Sequence, residues 1–189
     1  TAQASSWHGT HVAGTIAAAG DNGIGVAGVN WTADLIAIRA CDFDGYCDSA
    51  SVASAAAYAG QAGARTANIS LGFNGDQSEA AVLKSAIAAH PGTLYLAAAG
   101  NEQTNDDSTP TWPCNIDLAN VICVAATDQN DQLADYSNYG ATTVDLGAPG
   151  DNVLSTVPNI VEQLDPDLPN NLAGWSQSPS GFWNIQTTP

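Results

Sequence analysis

The sequence predicts an α/β fold with a mostly parallel central sheet flanked by helices, and two observations point to it. Short apolar runs of β type alternate with alanine-rich stretches of helical period between residues 15 and 149. Strands separated by helices need crossover connections, which set the strands parallel and lay helices over the sheet. The 189 residues suffice for one domain with a substantial core.

The elements follow in order. A helix begins near His8 and ends before Gly20-Asp21-Asn22-Gly23. Leu35-Ile36-Ala37-Ile38 reads as a buried strand, as do Ala67-Asn68-Ile69-Ser70-Leu71, Leu94-Tyr95-Leu96-Ala97-Ala98 and Val121-Ile122-Cys123-Val124-Ala125. Residues 49–63 and 78–90 read as helices. In the second, Val82, Leu83, Ala86 and Ile87 make one apolar face, Ser78 can cap the start, and Pro91-Gly92 stops it. Beyond Val157 the pattern changes to prolines, an Asn170-Asn171 pair and the bulky Trp175, Phe182 and Trp183. Residues 158–189 therefore read as a linker or the start of a separate β-type module. An aromatic pair there could stack on sugars, but core burial is the commoner use of such side chains.

Composition excludes several function classes. Three Lys and Arg stand against 19 Asp and Glu, a formal charge of -16. Such a surface repels phosphate backbones and anionic lipid, and no apolar run is long enough to span a membrane. Asp21, Asp34, Asp42, Asp44, Asp48, Asp106, Asp107, Asp128 and Asp131 read as surface acids that keep the protein soluble. Calcium is the sharper reading for Asp21-Asn22, and it extends to Asp42-Phe43-Asp44 although that run fits no recognised loop pattern. The chain has no methionine and opens at Thr1, which reads as processing or a cut from a longer chain.

Cys41, Cys47, Cys114 and Cys123 form two local pairs, each bracketing a turn-rich segment. Four cysteines allow three connectivities, and buried thiols remain an alternative. Local disulfides would stabilise by on the order of 2.5 kcal/mol each and would favour secretion. Neither spacing suits a zinc knuckle.

Three motifs bear on chemistry. Gly23-Ile24-Gly25-Val26-Ala27-Gly28 matches the dinucleotide fingerprint, but that motif works only with a strand before it and a helix after it; here the order is reversed. His8 and His11 open a helix of small residues. They could be metal ligands lacking a third partner, structural residues, or, for His8, a general base at a helix start. Asn101 follows Gly100 at the end of a strand, where open α/β sheets bind ligands, and could aim an N–H pair at developing negative charge. As a lone motif it would equally suit an ordinary turn.

Together these segments resemble the subtilisin-like serine peptidases (subtilases, peptidase family S8). The resemblance rests on Ser6-Trp7-His8-Gly9-Thr10-His11-Val12-Ala13-Gly14-Thr15, Asp21-Asn22-Gly23-Ile24-Gly25-Val26-Ala27-Gly28-Val29, Asn68-Ile69-Ser70-Leu71-Gly72, Ala97-Ala98-Ala99-Gly100-Asn101 and Ala148-Pro149-Gly150. It implies a three-layer subtilisin-like fold, incomplete at both ends, with residues 1–157 as part of the catalytic domain. It implies His8 as the catalytic base, His11 as structural, and Asn101 as the side-chain donor of the oxyanion hole. It further implies that Ser70, Leu71 and Gly72 pair with an extended peptide, and that Ala98, Ala99 and Gly100 wall the S1 pocket. Asn22, Ile24 and Val26 correspond to a structural calcium loop.

The family order is Asp, His, Ser, and this sequence contains neither the Gly-Thr-Ser-Met nucleophile motif nor a strand with the aspartate before His8. The implied function is serine endopeptidase in an intact parent, with this stretch alone expected to be inactive. A non-catalytic subtilase-like binding module that lacks the nucleophile is the alternative. The expected setting is extracellular, as a monomer acting on polypeptide, with no nucleic-acid or membrane partner.

Overall fold

The computed structural model describes residues 7–42, 45–75 and 77–157, and the strand segments Trp175–Gln177 and Trp183–Ile185. Two compact units divide the chain, one built on Trp7–Asp34 with the segment starting at Leu154, the other on Leu35–Val153.

The first unit carries helix α1, His8–Ala17. Its small residues let other backbone come close. Gly14 is buried, and a Cβ there would collide with the side chains of Ser155 and Thr156. Those two hydroxyls donate to α1 carbonyls, Ser155 Oγ to His11 O at 2.6 Å and Thr156 Oγ1 to Thr10 O at 2.7 Å. The chain then turns back along the helix end, with Gly28 N–H on Ala18 O at 2.8 Å and Val29 N–H on Thr15 O at 2.9 Å. A Cβ on Gly28 would strike the backbone nitrogens of Ala17 and Ala18, so glycine is needed for that approach. The glycine-rich run thus serves a helix-to-loop return.

The second unit holds helix α2 (Ser49–Gln61), strand β1 (Thr66–Ile69), helix α3 (Gln77–Ala88) and strands β2 (Leu94–Ala98), β3 (Val121–Thr127) and β4 (Leu146–Pro149). Asp48 caps α2, accepting from Ser51 N–H at 2.9 Å. The four strands lie in the order β1-β2-β3-β4, all parallel, with Ile69 opposite Ala97 and Ala98 opposite Val124. Val52, Ala53 and Ala56 of α2 meet Leu83 and Ile87 of α3 and Ile69 and Tyr95 of the sheet. Leu83 and Ile87 are fully buried, each worth about 1.5–3 kcal/mol. The Tyr95 hydroxyl donates to Ala56 O at 2.9 Å, so its polar end is satisfied inside the core. Cys41–Cys47 and Cys114–Cys123 are disulfides, which decides the cysteine alternatives for local pairing.

Strands β5 (Trp175–Gln177) and β6 (Trp183–Ile185) form an antiparallel pair, with Ser176 opposite Asn184. The rest of 158–189 lies outside the described residues, as do the side chains of Trp175 and Trp183, on which the sugar-stacking reading rests.

Several elements differ from expectation. Residues 35–38 form no strand; Leu35 and Ile36 are 50% and 48% exposed. Apolar composition favours burial, but a strand also needs a hydrogen-bonding neighbour, and among the described residues the sheet ends at β1. Val82 is exposed, and Ala80 takes its place in the buried face of α3. Ser78 lies inside α3 rather than before it. Strand β4 carries no strand signal in the sequence, because Leu146-Gly147-Ala148-Pro149 lacks the β-branched residues that mark strands.

Candidate active site

β1 and β2 run parallel, so the chain leaves the sheet from both at the same carboxyl edge. Between the two exits lies a cleft of about 190 Å³. Ser70, Leu71 and Gly72 line one side, Ala98, Gly100 and Asn101 the other. These are residues the sequence singled out. Ala99 is not on the cleft wall: the alternation along β2 buries its methyl with Ala97, Cys114, Cys123 and Ala125.

Local backbone demands explain the glycines. Gly100 has φ +125°, a value that favours glycine, and it leads the chain into a bend at Asn101. At Gly72 a Cβ would sit 3.1 Å from Thr111 Cγ2, so its absence lets the opposite segment close in. That segment is tied down by a two-bond bridge, Phe73 N–H to Trp112 O at 2.9 Å and Trp112 N–H to Phe73 O at 3.0 Å.

Phe73, Asn74, Glu102 and Thr111 complete the cleft and were missed. Glu102 sits beside the Gly-Asn pair, and its carboxylate accepts the Asn101 N–H at 2.9 Å. Thr111 had no local signal, since it reaches the cleft from a loop that only the tertiary fold brings there. Asp106 is a correction: expected on the surface, it is fully buried behind the cleft. Its Oδ1 accepts from Thr111 Oγ1 at 3.1 Å and from Asn138 Nδ2 at 3.0 Å. Burial pushes its carboxyl above the ordinary range, and those two bonds pull it partly back. Asp106 also lies near Cys114 and Cys123, but both sulfurs are spent in the disulfide and offer no thiolate to a metal.

His8 belongs to the other unit, where it is the exposed first residue of α1. His11 is half-buried, and its ring meets Trp7 edge-on with centroids 5.8 Å apart.

Asn22, Ile24 and Val26 lie on the loop after α1, coiled by positive φ at Asp21, Gly23 and Gly25. Their donors would be one side-chain and two main-chain oxygens, the hard chemistry calcium prefers. Asn22 Oδ1 already accepts the Ile24 N–H at 3.0 Å and keeps one lone pair. These residues fit calcium in kind and supply about half of the 6–8 oxygens it takes. Residues 43–44 of the second acidic run lie outside the described residues.

Comparison with known proteins adds a family pattern described as the subtilase family, which matches residues 1–181. The chain is 42% identical over 164 residues to an "Extracellular basic protease" of Dichelobacter nodosus, covering 81% of this chain and 26% of that protein. It is 44% identical over 153 residues to "Subtilisin BL" of Lederbergia lenta, covering 80% and 53%. Among solved structures it is similar to a cold-adapted subtilisin-like serine proteinase, with a TM-score of 0.68, 29% identity and 81% and 52% coverage. The "S41 Psychrophilic Protease" gives a TM-score of 0.66 at 35% identity, with 80% and 54% coverage. The chain spans about half or less of the length of these relatives.

Proposed function

The chain belongs to the subtilase family, and from that membership we propose that the protein is a serine-type endopeptidase cleaving extended polypeptide through an acyl-enzyme. One observation supports this most: the cleft between the β1 and β2 exits, which gathers the peptide-pairing segment and Asn101. An extended substrate lies along Ser70, Leu71 and Gly72, whose main chain supplies affinity without reading side chains. Ala98 and Gly100 wall the pocket for the residue on the acyl side, with Ala99 between them anchored in the core. A serine hydroxyl attacks the carbonyl, His8 takes its proton and returns it to the leaving amine, and Asn101 with a main-chain N–H holds the oxyanion. Residues 1–157 form this catalytic part, and 158–189 a linker or inserted β-type module.

The protein works outside the cell as a monomer. Its two disulfides suit an oxidising compartment, and among the described residues no helix is long and apolar enough to cross a membrane. Asn22, Ile24 and Val26 help hold a calcium ion, which stabilises the loop after α1.

The test uses the full-length protein and a peptide anilide. His8→Ala abolishes turnover. Asn101→Ala lowers kcat by about 10²–10³-fold, the loss that removing such a donor causes in a subtilisin, with KM little changed. An unchanged kcat in Asn101→Ala rejects the oxyanion assignment. A full-length protein that binds unfolded polypeptide without cleaving it is instead a non-catalytic binding module.

A further inference from the structure

Asn138 is fully buried and reaches the loop that carries Asn101 from a segment nearly forty positions away. Its side-chain oxygen accepts two main-chain N–H groups, Glu102 at 2.9 Å and Thr104 at 3.2 Å. Its amide nitrogen lies 3.1 Å from Ala99 O, 3.0 Å from Asp106 Oδ1 and 3.2 Å from Thr111 Oγ1. Its own main-chain N–H donates to Gly100 O at 3.0 Å. One residue therefore binds the backbone on both sides of Asn101: Ala99 and Gly100 before it, Glu102 and Thr104 after it. A Cβ on Gly100 would run into the Asn138 amide, so the loop is moulded against that side chain.

We infer that Asn138 is a positioning residue for the oxyanion hole, fixing the loop so that Asn101 is aimed before substrate arrives. This rests on the reading of Asn101 given above. The physical reason is preorganisation: Asn101 is exposed, and a donor on a free loop would have to be ordered during each turnover. The Asn138 amide is a rigid template whose two lone pairs and two protons are all engaged. Asp106 and Thr111 complete the arrangement from behind, since Thr111 Oγ1 and the Asn138 amide share Asp106 Oδ1. Thr111 also lines the cleft, so this network is continuous with the substrate surface.

The experiment is a double-mutant cycle in the full-length protein with a peptide anilide, using Asn101→Ala, Asn138→Ala and the pair. Displacing the loop lowers kcat by about 10- to 100-fold in Asn138→Ala, with KM within about twofold. With Asn101 already removed, Asn138→Ala costs less than about threefold more, because it acts through the missing donor. Equal factors in both backgrounds overturn the inference, as does a change in KM or melting temperature alone. An Asn101→Ala enzyme with unchanged kcat overturns the oxyanion reading itself and this one with it, a result distinct from additivity. Should Asn138→Ala not fold, amide hydrogen exchange on the wild-type full-length protein free of any ligand decides. The Glu102 and Thr104 amides exchange as slowly as those of β2, while Asn101, bonded to the exposed Glu102 carboxylate, exchanges fast. Fast exchange at Glu102 and Thr104 overturns the clamp.

Discussion

Asp106 is buried and bonded to Asn138 and Thr111, while its neighbour Asp107 is exposed and ties down another loop. Asp107 accepts from Thr142 Oγ1 at 2.7 Å, Ala141 N–H at 2.8 Å and Thr143 N–H at 2.9 Å. The Thr142 and Thr143 bonds hold its carboxyl down at about 2, below the ordinary 3.8, whereas burial raises that of Asp106. The signs of the two linkages are opposite. Asp107, depressed on folding, contributes stability above its unfolded value that is lost as pH falls from about 4 through 2. Asp106, raised on folding, disfavours the native state above its unfolded value and is relieved by protonation. Asp107→Asn should therefore melt below wild type at neutral pH, with the gap closing between pH 4 and 2. A gap that stays constant across that window in a pH series of thermal melts rejects the role given to these bonds. Nothing in the adjacent pair Asp106-Asp107 distinguishes a buried acid from an exposed one, since their burial is decided by loops that contact them from far along the chain.

The elements legible in the sequence were those with a strong local pattern. β2 has the bounds its apolar run predicts, and α2 ends within two residues of expectation. Residues 35–38 have a similar apolar pattern yet stay unpaired, because pairing depends on a neighbour and not on composition. Close packing between elements was likewise invisible. Gly60 sits near the end of α2, where alanine would normally help by about 0.5–1 kcal/mol. Here a Cβ would collide with the Cβ and ring of His90, just beyond α3. Overpacking of that kind costs about 1–3 kcal/mol, so Gly60→Ala should lower the melting temperature. A rise would mean that His90 swings aside and the two segments are not locked there.

At the scale of the whole molecule, a charge of -16 makes any added cation stabilising through screening, so calcium must be tested against monovalent salt. In the full-length protein, millimolar calcium should raise the melting temperature beyond sodium chloride of equal ionic strength, and Asn22→Ala should remove part of that excess. Identical shifts in the two salts reject a specific site. By itself the sequence determined the α/β class, the spacing of the motif segments and the family, because apolar period and residue order are local properties of the chain. Tertiary structure alone decided that Asp106 is buried, that Ala99 faces inward, that Thr111 closes the cleft and that Asn138 grips the Asn101 loop. Each depends on segments meeting across tens of residues, and the free energy that selects those meetings comes from packing and hydrogen bonding in the assembled core, which no short window of sequence contains.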